Sequence, residues 1–177
     1  AIAEARITIE EGLSLDEIKY RCKVAGRFSG SLRQNLLALL NRLNLNDYLG
    51  LKDANELFNE HDDLLHTVSL IPYPVFVKGK NYTGHTPTLL KTPILLRYIT
   101  DHFVDELSKL DDVLIIPLGK GVEEVLLYLS NKNLINDHQI LKGFPHPSGA
   151  NAHRFKQFEE HQESMKLQIE YWFKKEN

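Results

Sequence analysis

The sequence predicts an α/β fold, a three-layer α/β/α sandwich around a central, mostly parallel four-stranded sheet. Short apolar runs of strand length alternate along the chain with longer segments of helical periodicity. This alternation favours right-handed β-α-β crossovers, which cover both faces of a parallel sheet with helices. The run at 111–119, DDVLIIPLG, is apolar over its centre, as expected of a strand buried on both faces.

Size and composition indicate a single globular domain, 1–177. The 177 residues are enough for a full core, and 42% hydrophobic with 25% charged residues excludes a disordered or fibrous chain. No apolar run approaches the roughly 20 residues that cross a bilayer, and no signal-peptide pattern is present. A lone cysteine, Cys22, cannot form an internal disulfide and favours a reducing compartment. We therefore expect a cytoplasmic protein with no membrane partner, and a monomer.

The first half of the chain supplies two predicted strands and one helix. ARITIE, at 5–10, alternates apolar and polar residues like a short strand. SLRQNLLALLNRLNL, at 31–45, places leucines on one helical stripe, and Ser31 with Gln34 has the spacing of a capping box. LLHTVSLIP, at 64–72, is a β-favouring run ended by proline, and 73–87 has the composition of a long loop or irregular hairpin.

The second half supplies three helices and two strands. Thr92 and Pro93 suit the N-cap and first residue of a helix. After the strand at 111–119, KGVEEVLLYLSNK predicts a helix at 120–132, and HQILKGF at 138–144 predicts another strand. The last helix is predicted within 151–173, where apolar residues recur at helical spacing and indicate core rather than a cofactor site: Phe155, Phe158, Met165, Ile169 and Trp172.

Charge and motifs exclude several kinds of chemistry. The formal net charge of −3 does not indicate nucleic-acid binding by itself, although basic residues gather in three loop-rich stretches. No Walker loop, GxGxxG, HExxH or Cys/His zinc set is present, and the eight histidines lack tight paired spacing, so we expect no cofactor and no metal site. Ser29 lacks the glycine pattern of a hydrolase nucleophile elbow.

Two loops carry the remaining chemistry, and each has a purely structural alternative. GRFSGS, at 26–31, puts an aromatic and small residues before a helix, which suits base stacking and phosphate binding, or is a core Phe with an ordinary N-cap. HPSGAN, at 146–151, offers a histidine that can donate to a developing oxyanion and a serine that can hold a phosphate, or is a Pro-containing turn. Ligands of open α/β sheets bind beyond the carboxyl ends of strands, where three loops are predicted: those after ARITIE, after LLHTVSL and after HQILKGF, the last being HPSGAN.

Taken in order, these segments resemble the uracil-DNA glycosylase superfamily from about residue 26 to residue 158. GRFSGSLRQNLLALLNRLNL is similar to the family's GRPF-type segment and its leucine-rich helix, and HTVSLIPYPVF is similar to the strand with its proline-rich loop. DDVLIIPLGKGVEEVL is similar to the strand ending in Leu-Gly, and HPSGAN is similar to the closing motif. The resemblance implies an enzyme that flips a damaged base, such as uracil, out of DNA and hydrolyses its N-glycosidic bond.

The resemblance also implies roles for individual residues. Phe28 would stack on the flipped base, and His146 would stabilise negative charge on the base oxygen. The position of the pyrimidine-reading asparagine aligns with Thr67, beside His66. The remaining loop residues would grip or insert into DNA: Ser29, Ser31, Pro147, Ser148, Gly149, Ala150 and Asn151.

The family's water-positioning first motif has only a partial counterpart. In IEEGLSLDE, Glu10 or Glu11 takes its place without the family's proline, or the motif lies upstream of Ala1. Threonine also cannot offer the donor and acceptor of an asparagine amide. The sequence therefore leaves two functions open: a divergent base glycosylase, or a weakly active or inactive relative that binds nucleic acid or a nucleotide.

Overall fold

Helices dominate the fold, and the predicted α/β/α sandwich is wrong. The computed structural model describes residues 2–84 and 86–175. Eight α-helices follow in chain order, namely α1 (Ile2–Glu10), α2 (Leu15–Gly26), α3 (Gly30–Arg42), α4 (Leu45–Tyr48), α5 (Pro93–Tyr98), α6 (Val104–Leu107), α7 (Lys120–Asn131) and α8 (Arg154–Lys175). The sheet in these residues has two antiparallel strands, β1 (Phe76–Val77) and β2 (Lys80–Asn81), where four mostly parallel strands were expected.

The segment ARITIE is helical, so its prediction as a strand is wrong. It forms most of α1, which packs along α2 and meets no strand partner. Thr8 is fully buried, and its Oγ1 donates to the carbonyl oxygens of Glu4 and Ala5 at 2.9 and 3.1 Å. Ile7 and Ile9 lie exposed. The alternating residues therefore do not form a buried strand face. The polar Thr8 is the buried residue, because its hydroxyl bonds to carbonyl groups of its own helix.

The other three predicted strands do not form a ladder. Segments 111–119 and 138–144 meet at one parallel bridge, Ile115 with Ile140. The Ile115 N–H donates to the Gln139 carbonyl at 2.7 Å, and the Leu141 N–H donates to the Ile115 carbonyl at 2.9 Å. Among described residues, 66–70 make no backbone–backbone hydrogen bond at all. A parallel sheet needs successive strands side by side, and residues 66–70 pair with no other strand among the described residues.

The helices after residue 26 follow their predictions closely. Leu36, Leu39 and Leu40 of α3 are buried, although the helix begins at Gly30 behind the N-cap Ser29, so the capping box at Ser31 is wrong. Thr92 is the N-cap of α5 and Pro93 its first residue, as predicted. After α5 the chain continues through a π-helical turn, Ile99–Phe103, into α6.

The β-hairpin confirms the irregular-hairpin alternative for 73–87. Phe76 lies opposite Asn81 and Val77 opposite Lys80. Lys78 and Gly79 between the strands both have positive φ, +51° and +75°, which is typical of a type I′ turn. The strands are only two residues long, because prolines bound the apolar run on its amino-terminal side.

Two apolar clusters hold the chain after residue 26 together. The first joins α3 and α8 with the 54–58 turn, and Phe158, Met165 and Ile169 of α8 are fully buried in it, as the spacing predicted. Phe155, predicted as core by the same spacing, is exposed instead. The second joins the 99–103 turn to α7. Leu114 and Ile116 pack on the first cluster and Ile115 on the second. Segment 113–118 therefore shows its apolar side chains alternately to two cores, even though only one of its edges is paired.

Candidate functional site

An apolar groove of about 390 Å³ brings together three of the residues predicted to bind a base. Phe28, His66 and Thr67 all line it, with Leu114, Ile116 and Leu118 of the segment 113–118. Most of its remaining lining is aliphatic or aromatic. We call this depression the central groove. Ligand sites are typically concave, mostly apolar and furnished with a few polar groups, and the central groove has this composition.

Phe28 belongs both to the core and to the groove wall. Its ring meets Phe58 edge to face, with centroids 6.1 Å apart. Its backbone has a positive φ of +41°, unusual for a bulky residue. The side chain of Arg33 holds this conformation, since its Nε donates to the Phe28 carbonyl at 2.6 Å. Phe28 therefore packs against the core and also lines the groove, and its predicted stacking on a base stays a prediction.

The loop 146–151 is tightly ordered by hydrogen bonds within itself. The Ser148 N–H donates to His146 Nδ1 at 3.1 Å, and the Ala150 N–H donates to Ser148 Oγ at 3.1 Å. Asn151 Nδ2 donates to the His146 carbonyl at 3.1 Å. His146 is exposed at the surface while Pro147 is buried. The loop therefore anchors its proline and presents its histidine to solvent.

The bond at Nδ1 fixes the tautomer of neutral His146. A ring nitrogen that accepts from a backbone N–H carries no proton, so the proton of the neutral imidazole lies on Nε2. A neutral imidazole donor suits stabilisation of an oxyanion without requiring protonation of the ring.

Gly119 packs directly beneath His146. A Cβ at this glycine would lie 2.9 Å from the His146 Cβ, and its φ of +97° is a conformation that L side chains rarely adopt. The Gly119 N–H donates to the Phe144 carbonyl at 3.2 Å. The end of segment 113–118 and the loop 146–151 therefore meet backbone against backbone, and the glycine makes the contact possible.

The start of α3 touches the same loop. Asn35 Nδ2 donates to the Pro147 carbonyl at 2.8 Å, and a Cβ at Gly149 would lie 3.5 Å from Ser31 Oγ. The N-cap Ser29 makes no side-chain capping bond. First-turn amides of a helix attract anions, and here they stand beside Ser148 and the loop amides. The two loops singled out from the sequence are thus one surface.

Sequence reasoning missed Asn35 and Gly119, which hold this surface in place. Asn35 lies four residues after Ser31 and so on the same face of α3. Gly119 stands between an apolar run and a helix. Both signals were present in the sequence. Neither shows that Gly119 contacts a loop about 30 positions away, or that Asn35 contacts the same loop about 110 positions away.

The predicted catalytic carboxylates lie elsewhere. Glu10 ends α1 and Glu11 follows it; both are exposed, and neither lines the central groove. Glu11 pairs with Arg21 of α2 at 3.0 Å. The acidic residue that does line the groove is Asp112. The six residues 113–118, about 20 Å of extended chain, separate Asp112 from Gly119, which lies against His146.

His66 and Thr67 both line the groove, but they differ in their partners and exposure. His66 Nε2 lies 2.8 Å from Glu106 Oε1, an ion pair when the ring is protonated, and both side chains are partly exposed. Thr67 is half-buried. Thr67 thus offers a hydroxyl and His66 an imidazole at the groove wall, and both groups can donate and accept hydrogen bonds.

The described residues contain neither a cluster of metal ligands nor a helix that could span a membrane. Within 2–84 and 86–175, no three His, Cys, Asp or Glu side chains come together as metal ligands would; His85, one of the eight histidines, lies outside the described residues. None of the helices in those ranges combines the length and the apolar character of a bilayer span.

Comparison with known proteins gives one relative. No protein-family model and no solved structure matches the chain. The chain is similar to "Uncharacterized protein YoxB" of Bacillus subtilis (strain 168), with 41% identity over 170 residues. The match covers 96% of this chain and 66% of YoxB, so the chain spans just under two thirds of the length of that relative. The likeness relates this chain to YoxB and carries no statement about activity.

Proposed function

We propose that this chain acts on DNA as a base glycosylase, hydrolysing the N-glycosidic bond of a flipped, damaged base such as uracil. The observation that carries the proposal is the union of two distant loops: Asn35 of α3 holds the Pro147 carbonyl, and Ser31 lies against Gly149. A single surface thereby combines an ordered serine, helix-start amides and a histidine. The loop 146–151 does not line the central groove, but Phe28 and Leu118, which do, are close in sequence to Ser31 and Gly119 at this surface.

The phosphate backbone is the first ligand of this surface. Ser148 and the open amides at the start of the 13-residue α3 can donate to phosphate oxygens, and the dipole of a helix of this length favours the negative charge. An exposed cationic group, Lys156, follows in the same stretch of chain. Binding that rests on such contacts weakens with rising salt, because counterions are released when phosphates are neutralised.

The flipped base is the second ligand. Phe28 supplies an aromatic wall and Thr67 a hydroxyl, and the rest of the groove lining is mostly apolar. As the bond between C1′ and the base nitrogen breaks, its electron pair moves onto the base. His146 Nε2–H donates to the base oxygen where the charge collects, while a water oxygen bonds to C1′ and its proton leaves to solvent.

The test is single-turnover release of the base from oligonucleotides that contain uracil, hypoxanthine or xanthine. The proposal predicts release from at least one of them, and loss of release in His146→Ala with DNA binding retained. Absence of release from all three, or an unchanged rate in His146→Ala, would overturn it. Such a substrate also implies a cytoplasmic location, which the lone Cys22 favours.

A second candidate function is nucleic-acid binding without chemistry. The position of Glu10 and Glu11 favours it, since neither of these carboxylates, predicted to orient the water, lines the central groove. This function predicts salt-sensitive retention of DNA in a gel with no base release. Ser148→Ala would weaken binding under either function, so only the release assay separates the two.

A further inference from the structure

One side of α8 carries an exposed stripe with the spacing of a helix-pairing surface. Its five exposed residues recur at intervals of four and three: Glu160, Ser164, Leu167, Tyr171 and Lys174. Two packed helices keep one side toward each other when residues recur in this way. Leu167 and Tyr171, the apolar centre of the stripe, are 65% and 67% exposed. We call these five residues the α8 stripe.

The two ends of the α8 stripe carry opposite charges. Glu160 lies at its amino-terminal end, with the 86% exposed side chain of Glu163 close by in the sequence. Lys174 lies at its carboxy-terminal end, and its side chain is 73% exposed. The contact of Lys174 within the chain is an i,i+4 pair with Glu170, and exposed pairs of this kind contribute little to stability. A charged partner can therefore replace this contact.

A depression of about 500 Å³ lies beside the stripe, between α4 and α8. Leu43, Tyr48 and Leu167 give it apolar walls, and Asp47 contributes a carboxylate. The ring of Tyr48 stacks on Phe173, with centroids 5.0 Å apart. Such a depression suits a tyrosine side chain, whose ring gains from apolar contact and whose hydroxyl needs a hydrogen-bond partner when it is buried.

A two-fold axis that passes midway between Leu167 and Tyr171 brings these features together. Each contact across such an axis occurs twice, and the two copies of α8 run antiparallel. Leu167 then packs against the partner's Tyr171, whose ring enters the depression that Leu167 lines. Lys174 lies opposite the partner's Ser164, one helical turn, about 5.4 Å, from the partner's Glu160. In a parallel pair each lysine would instead lie beside another lysine.

We propose that the α8 stripe binds a second copy of the chain, as an antiparallel two-fold pair of α8 helices in which Tyr171 fills the partner's depression. A second copy is the occupant because the acidic and basic ends of one stripe complement each other after this rotation. None of the five residues belongs to the loop 146–151 or lines the central groove, so the inference stands apart from the proposed function. The monomer expected from the sequence is the alternative that the experiment decides.

The experiment is sedimentation equilibrium of the 177-residue chain, from about 1 μM to about 1 mM. We expect the mean mass to rise with concentration toward twice that of one chain. Leu167→Glu should raise the dissociation constant of the dimer at least about tenfold, because it buries a carboxylate against the partner's Tyr171. Leu15→Glu in α2 is the matched control, since Leu15 is 66% exposed and lies outside the stripe, and it should leave the constant unchanged.

A charge swap tests the antiparallel arrangement itself. Glu160→Lys and Lys174→Glu each place like charges together across the axis, so each should weaken the dimer severalfold. The double variant restores opposite charges at both ends of the pair. Its dissociation constant should return to within about threefold of that of the unchanged chain.

Several results would overturn the inference. A monomer at every concentration is one. A dimer that Leu167→Glu does not weaken, or that Leu15→Glu weakens equally, is another, because the interface would then lie elsewhere. A double charge variant that pairs no better than the single ones would contradict the antiparallel arrangement. Circular dichroism reports whether each variant folds, and Tyr171→Ser repeats the test if Leu167→Glu does not. Base release enters none of these measurements, so the proposed function is tested separately.

Discussion

The loop 146–151 and the α1–α2 hairpin differ in how the rest of the chain holds them. The loop is fixed from outside by Asn35, by Gly119 beneath His146 and by the buried Pro147. The hairpin packs mainly on itself and exposes Ile9 and Leu15. Both regions were predicted to supply catalytic groups. Only the first has the long-range contacts that can hold a side chain to a fixed geometry, and preorganised geometry is what catalysis needs.

The hairpin reaches the body of the protein through polar contacts at Asp62. The Tyr20 hydroxyl donates to Asp62 at 2.9 Å, and Arg27 pairs with the same carboxylate at 3.1 Å. The hydrogen bond to the Asp62 carboxylate, which favours the neutral phenol, raises the pKa of Tyr20 above its usual value. Such contacts orient a surface element, but they do not bring Glu10 or Glu11 to the groove.

The largest expected effect comes from removing the histidine of the loop. His146→Ala deletes the Nε2–H donor, and loss of one oxyanion donor typically costs about 10²–10³ in rate. Single-turnover base release measures it. His61→Ala, an exposed histidine outside both the loop and the groove lining, is the control and should change the rate less than about threefold, within the effect expected of surface substitutions. Equal losses in both variants would remove His146 from the mechanism.

Gly119→Ala should disturb the support beneath His146. Its Cβ would press on the histidine Cβ at 2.9 Å in a backbone with φ +97°, so we expect a stability loss of more than about 1 kcal/mol and slower base release. Urea denaturation measures the first effect. Gly121→Ala in α7 is the control with opposite sign: nothing lies near its Cβ, and alanine should stabilise the helix by about 0.5–1 kcal/mol.

Asn35→Ala should loosen the loop without touching a reacting atom. It removes a partly buried hydrogen bond to the Pro147 carbonyl, worth about 1 kcal/mol in stability, and should weaken DNA binding severalfold. Asn59→Ala serves as the matched control, because Asn59 donates to the Asn55 carbonyl in an exposed turn. If both variants bind DNA equally well, the contact between α3 and the loop does not matter for binding.

The smallest effects are expected in the hairpin. Glu11→Gln breaks an ion pair whose side chains are 44% and 47% exposed, so stability should change by less than about 1 kcal/mol. Base release should not change in Glu11→Gln or in Glu10→Gln. A fall of tenfold or more in either variant would contradict the placement of the hairpin outside the site and restore the carboxylates predicted from the sequence.

The sequence predicts the helices of this fold far better than its strands. Periodic leucines in α3 and the Thr92–Pro93 start of α5 act locally, so pattern and capping preferences are enough. A strand exists only through its partner. Ile115 finds one at Ile140, the run at 64–70 finds none, and the alternation in ARITIE became a helix beside α2.

For the site, the sequence identifies side-chain chemistry but not proximity. His146, Ser148 and Phe28 were predicted from the residue types that such chemistry needs. Asn35 and Gly119 were not predicted, because they support the site through contacts with residues more than 20 positions away in the sequence. The misplaced residues, Glu10 and Glu11, were assigned by order along the chain alone, and order alone does not bring an exposed helix end into a groove.

The most direct test of the central claim is an amide chemical-shift titration of the ¹⁵N-labelled chain with a uracil-containing oligonucleotide. The claim is that the start of α3 and the loop 146–151 form one DNA-binding surface. The amides of Ser31, Ser148 and Ala150 should therefore shift together, with one dissociation constant that rises with salt. Shifts confined to one of the two loops, or to neither, would contradict it.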